Sequence, residues 1–211
     1  MFSNTSLNSR QSLTWLTLFL STLLWSAVEP LDYFIWGLEV APALIALVLL
    51  AFTFKRFPLT PLSYWLILIH CIILMVGGHY TYAEVPLFDA IGELYDSGRN
   101  DYDKLGHFAQ GFIPAIIARE ILLRRSPLEN GKWLFFIVVS ICLAISAFYE
   151  LIEWWVAAAT GTAADAFLGT QGYVWDTQSD MAMALIGAII ANITLSKPHD
   201  RQLSRLERPL T

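Results

Sequence analysis

Apolar residues fall in six blocks along the chain, at about 12–28, 32–54, 62–78, 105–123, 133–158 and 180–196. Each block is long enough to cross a hydrocarbon core about 30 Å thick, which takes about 20 helical residues. The pattern predicts an all-α, polytopic membrane protein. It is a bundle of six transmembrane helices forming one membrane domain over residues 1–211. Arg10 before the first block suggests a signal peptide, but Trp25-Ser-Ala-Val-Glu-Pro30 lacks an A-x-A cleavage pattern, so the block reads as a retained helix. Thr60-Pro61 opens the third helix as N-cap and first helical residue. Ser126-Pro127 and Asn130-Gly131 mark a short turn between the fourth and fifth. Within 87–95, Leu87, Phe88, Ile91, Leu94 and Tyr95 share one face, with Asp89, Glu93 and Asp96 elsewhere. That is the pattern of a short helix lying on a membrane surface. Residues 159–179 are nearly uncharged and end in Phe167, Tyr173 and Trp175. They read as a re-entrant segment or as a cap on the bundle.

Composition supports the bilayer as solvent. The chain is 56% hydrophobic and 15% charged, well below the roughly 25% charged of soluble domains. Its net charge of −5 comes without a basic stripe, which excludes nucleic acid as a partner and leaves the lipid bilayer as the certain one. Cys71 and Cys142 lie inside apolar blocks and read as buried thiols. Lys and Arg collect on the cytoplasmic side of membrane proteins. With both termini cytoplasmic, 11 of the 13 basic residues fall inside, all but Arg99 and Lys104. The connections 79–104 and 159–179 then face outward, and the basic tail 197–211 lies near anionic headgroups.

This topology gives the ionisable residues a common depth. Insertion scales charge about 2.5–3.5 kcal/mol for such groups at a helix centre, so they rarely sit there without a role. His107, Glu150, Glu153 and Asp180, behind Asp176, come from three helices at the outer end; Glu39 lies at similar depth in a fourth. Glu150 and Glu153 share a face at i, i+3, and Asp176 and Asp180 at i, i+4. Converging carboxylates without basic partners need a proton, water or a cation. Carboxylates with one imidazole suit a divalent metal such as Mn, Zn, Mg or Ca. In this reading His107, Glu150, Asp176 and Asp180 are ligands, Glu153 and Glu150 do catalytic work, and Asp103 and Gln110 hold the ligands in place.

Plainer readings stand beside each. His107 suits an interfacial histidine bonded to an acid, Glu153 the headgroup belt beside Trp154-Trp155, and Asp176 and Asp180 helix caps. Glu39, three residues before Pro42, suits a kink, and His70 a packed polar residue. Asp101, Asp103 and Lys104 read most simply as a solvated lead-in, although Asp103 is one turn before His107 and well placed to orient its ring. No nucleophile elbow or phosphate loop is present, so enzyme status stays open. The remaining alternatives are a scaffold or envelope-assembly partner and a proton-coupled transporter. The latter needs inner-half polar groups, for which Asn192 and Arg119-Glu120 are the candidates, and it lacks an inverted repeat.

Three strings, Asp101-Tyr-Asp-Lys-Leu-Gly-His-Phe-Ala-Gln-Gly-Phe112, Tyr149-Glu-Leu-Ile-Glu-Trp-Trp155 and Leu168-Gly-Thr-Gln-Gly-Tyr-Val-Trp-Asp-Thr-Gln-Ser-Asp180, resemble the YjdF family of bacterial inner-membrane proteins. Leu38-Glu-Val-Ala-Pro42 and Arg56-Phe-Pro-Leu-Thr-Pro61 fit as well, and the likeness covers about residues 30–195. It implies a polytopic inner-membrane protein and supplies a location rather than a substrate. A looser, fragmentary likeness to VanZ-like proteins rests on Asp103-Lys-Leu-Gly-His-Phe108 with a later membrane Glu and Asp; that group is linked to glycopeptide-antibiotic tolerance.

Overall fold

The computed structural model describes residues 6–95, 98–160 and 171–206. Among them are seven helices: α1 (Ser9–Ser26), α2 (Tyr33–Thr53), α3 (Pro61–His79), α4 (Pro86–Leu94), α5 (Tyr102–Arg125), α6 (Lys132–Thr160) and α7 (Asp176–Leu206). Their starts follow local chemistry. Asn8 and Gln11 form a capping box on α1, Asp32 accepts from the amides of Phe34 and Ile35, and Thr60 accepts from Ser63 N with Pro61 behind it. Four helices, α2, α3, α6 and α7, are long and apolar enough to cross a membrane. α1 carries Arg10, Gln11 and several Ser and Thr among its 18 residues, and α5 carries eight charged, His or Gln residues between Asp103 and Arg125, so neither joins that group on composition.

Two sets of helices make the core. α1 and α2 lean on α3 through Trp15, Phe19, Val40, Tyr64, Leu68 and Met75. α5, α6 and α7 meet through Ile113, Ile116, Val138, Cys142, Ala188 and Ala191. Both cysteines are buried and free. Outward faces stay apolar: Ile45 and Val48 on α2, Phe136 and Phe148 on α6 and Ile193 on α7 are more than half or nearly half exposed, as lipid-facing side chains are.

The last helix runs well beyond the expected 180–196. Two bonds hold the extension. His199 is fully buried against α5, and Gln202 accepts from Leu62 N, one of the unpaired amides in the first turn of α3. Pro198 therefore sits inside the helix rather than ending it. α4 forms close to the expected span, with Leu87, Ile91, Leu94 and Tyr95 exposed and Phe88 packed edge-on to Tyr102. Asn100 fastens the α4 segment by donating to Val85 O at 3.0 Å and Asp89 Oδ1 at 2.6 Å. Of the 159–179 connection, residues 161–170, with Phe167, lie outside the described residues.

Candidate functional site

The site begins with a close helix contact. A Cβ built on Gly111 of α5 would stand 1.8 Å from Ala184 O on α7, and one on Gly187 would stand 2.2 Å from Phe108 O. Only glycine permits this approach, the small-residue packing common between membrane helices. His107 lies one turn before Gly111, and Asp180 one turn before Ala184, so both project into the space just beyond the crossing point. Asp103 stands one further turn back on the same face of α5.

These three residues offer ligand atoms that all lie within 4.8 Å of one another. His107 Nε2 is 3.4 Å from Asp103 Oδ1 and 3.8 Å from Glu150 Oε1 of α6. The first distance exceeds the usual 2.7–3.2 Å hydrogen-bond range. It equals the separation of about 3.4 Å between two ligands of one tetrahedral metal bound near 2.1 Å. His107 Nδ1, Glu150 Oε1 and Gln110 Oε1 are buried without a hydrogen-bond partner among the described residues. Such groups cost about 1–3 kcal/mol each unless water or an ion completes them.

The expectation of acids without basic partners is corrected here. Lys104 Nζ donates to Asp180 Oδ1 at 2.5 Å and Asp176 Oδ1 at 2.7 Å, and Arg99 reaches the same Asp176 oxygen at 2.5 Å. Lys104 is no solvated lead-in; its side chain keeps 16% exposure, and Tyr173 lies over both cations. Lys104, the third residue of α5, reaches α7 because the Gly111 crossing brings that helix close. Asp176 thus contacts two cations and stands outside the three-residue group, whereas Asp103 enters it.

Behind His107 lies a cavity of about 30 Å³, room for one or two waters. Glu39 of α2, His70 of α3, Asp103, His107 and Gln110 of α5, and Tyr149 and Glu153 of α6 line it. Two residues read from sequence as structural therefore join the site. Glu39 faces inward, with Tyr149 Oη donating to its Oε2 at 3.2 Å, and Pro42 sits within an unbroken α2. Half-buried Trp36 and buried Ala43 share the Glu39 face of α2, away from the exposed Ile45 and Val48. Tyr82 closes the cavity. Its ring fills the space beside Gly77 and Gly106, where added Cβ atoms would meet it at 2.2 and 2.9 Å. To put it there the backbone takes φ of 54° at Thr81 and 59° at Tyr82, strained values for side chains of this size. Burial, then the nearby Glu39, pushes the Tyr82 phenol well above its usual range, so it stays protonated.

Charge sums to an excess of acid. Glu39, Asp103, Glu150, Glu153, Asp176 and Asp180, all buried or nearly so, face two permanent cations, Arg99 and Lys104. Protons or a bound cation must balance the remainder.

A second polar cluster sits about 20 Å further along α5, at 1.5 Å per residue from His107 to Glu120. Glu120, fully buried, accepts from Thr60 N at 2.9 Å, Thr60 Oγ1 at 2.9 Å, Ser63 Oγ at 2.7 Å and Arg124 Nη1 at 2.7 Å. Arg119 Nη1 donates to His199 Nδ1 at 2.9 Å, so His199 Nε2 carries the hydrogen that Glu120 accepts at 3.1 Å. Arg119 also holds Asn130 and Asp200. This cluster is satisfied throughout, which marks it as a fastening. His199 was invisible from sequence because it lies beyond the apolar block. Asn192 donates to Ala188 O of its own helix, and Ile113, Ala115 and Ile116 separate the two clusters.

The comparisons agree with this picture of a membrane bundle. A family model described as "Predicted membrane protein (DUF2238)" matches residues 11–201. The chain is 53% identical to the inner membrane protein YjdF of Escherichia coli (strain K12) over 183 residues, covering 87% of this chain and 88% of that one. No solved structure matches. The chain is a multi-pass inner-membrane protein, and it belongs to the DUF2238 family.

Proposed function

We propose that the outer-end cluster is a divalent-cation site, with Asp103, His107 and Asp180 as its core ligands and Glu150 completing it. The observation that carries this reading is the 3.4 Å separation of His107 Nε2 and Asp103 Oδ1, inside a group of ligand atoms spanning no more than 4.8 Å. Asp176 acts at one remove, by holding Lys104 against Asp180 and leaving that residue's other oxygen for the ion. Gln110 Oε1 and His107 Nδ1, an unpaired acceptor and donor on one cavity, suit a water between them that fixes the imidazole.

When bound, such a cation supplies Lewis acidity to water or to a carbonyl or phosphoryl oxygen. Glu153, in the cavity wall beside His107, is placed to take a proton from that water, and Glu39 with Tyr149 to hold it in the pocket. The cavity admits the reacting atoms only. A substrate of this site is therefore an amphiphilic or lipid-linked molecule whose polar end reaches the pocket while its tail stays in the bilayer.

The same proposal includes the finer topology. α1 and α5 join the four long apolar helices as spans, both termini are cytoplasmic, and α4 lies on the outer membrane surface. α5 crosses despite its charges because they gather at its two ends and are paired there, leaving Ile113–Ala118 between them. A chain stripped with chelator should gain melting temperature on adding Mn²⁺ or Zn²⁺. Asp180→Asn should gain none; an equal gain in that variant would refute the site.

A further inference from the structure

Among the described residues there is a further opening, larger than the cavity behind His107 and of opposite character. α1 and α2 both pack on α3 and scarcely touch each other, so a cleft runs between them with Trp15 and Tyr64 as its floor. Trp15 Nε1 donates to Tyr64 O at 2.8 Å, which satisfies the indole on that floor. The walls are Leu7, Leu16, Leu47, Leu50, Ala51 and Phe54, and the cleft holds about 270 Å³. Apolar cavities of this kind stay dry and take apolar guests; about 150 Å³ already admits a benzene ring. Leu16, Ala51 and Phe54 are exposed at its lip, so it opens sideways to lipid rather than to water.

The mouth of the cleft is basic. Lys55 and Arg56 directly follow Phe54 of the lining. Both are exposed, and neither takes part in an ion pair among the described residues. Arg125 stands beside them, its guanidinium 4.8 Å from the Phe57 ring. Glu120, the buried acid of this end, is already engaged by Arg124 and His199. An apolar slot under unpaired cations matches one class of ligand, a lipid with acyl tails and a negative headgroup.

We infer that the α1–α2 cleft binds one acyl chain of an anionic phospholipid, whose headgroup rests on Lys55 and Arg56. This site is independent of the outer cation site, shares no residue with it and stands whether or not that site binds metal.

Native mass spectrometry of the full chain, delipidated in a neutral detergent, tests the assignment. Phosphatidylglycerol and phosphatidylcholine of identical acyl chains are the probes. The first phosphatidylglycerol should bind about tenfold more tightly than phosphatidylcholine, since each basic side chain near a headgroup contributes about 1 kcal/mol. Ala51→Trp fills the slot from its exposed lip and should weaken that binding about tenfold. Leu16→Trp, from the opposite wall, should do the same and serves if the first variant folds poorly. Lys55→Ala with Arg56→Ala should bring the two lipids to near parity. Equal affinity of the wild-type chain for both lipids, or undiminished phosphatidylglycerol binding in folded tryptophan variants, would overturn the inference.

Discussion

His107 Nε2 on α5 lies 3.8 Å from Glu150 Oε1 on α6, across a gap that no hydrogen bond closes. In the proposed reading, a cation closes it. Glu150→Gln keeps the shape and removes the charge. It should lower divalent-metal affinity by at least 10–100-fold, the range seen when even a supporting residue of a metal site is lost. The metal-free variant should melt a few degrees above the metal-free wild type, because one of several crowded buried acids is gone. Calorimetric titration and a thermal melt read the two effects separately.

The close crossing of α5 and α7 makes a second prediction. Gly111→Ala places a methyl group 1.8 Å from Ala184 O, which is backbone and cannot swing aside. The helices must part, at a cost of about 1–3 kcal/mol. Asp180 then moves away from His107, so metal affinity should fall although no ligand has changed. Gly131→Ala, which meets nothing within 4 Å, is the control and should leave both readouts unaltered.

At the other end of the molecule the expectation reverses. Glu120→Ala removes the acceptor shared by Thr60, Ser63, Arg124 and His199. Breaking such a buried charged network costs about 3–5 kcal/mol. The melting temperature should drop markedly while the metal content of the folded fraction stays at the wild-type level.

Tyr82 is held in a strained backbone to plug the cavity. Tyr82→Ala should destabilise the chain by about 3–5 kcal/mol, the usual loss for a buried aromatic. Tyr82→Phe, which keeps the ring, should lose far less. A thermal melt of the pair distinguishes packing from any need for the hydroxyl.

Much of the fold was legible because the bilayer demands long apolar helices with satisfied ends. Thr60-Pro61 opens α3 where expected, and α4 forms within one residue of the anticipated start. What the pattern of apolar residues could not convey was helix rotation. Glu39 and His70 look like isolated polar residues on α2 and α3; only the packing of α2 on α3, so close that a Cβ added at Gly78 would stand 3.2 Å from Glu39 Cβ, sets the phase that turns Glu39 inward. The same blindness hid Lys104 as the partner of Asp176 and Asp180, since that pairing depends on how near α7 comes to α5. His199 was missed for another reason: hydropathy ends at about residue 196, whereas the helix continues on polar contacts that a hydropathy window cannot register.

The central claim is that acids and an imidazole from α5, α6 and α7 together hold one metal ion. Elemental analysis of the full chain, purified without chelator in detergent, addresses it most directly, with His107→Ala and Glu120→Ala measured alongside. The account predicts about one divalent metal ion per chain in the wild type and in folded Glu120→Ala, and almost none in His107→Ala. Sub-stoichiometric metal in the wild type, or an undiminished content in His107→Ala, would contradict it.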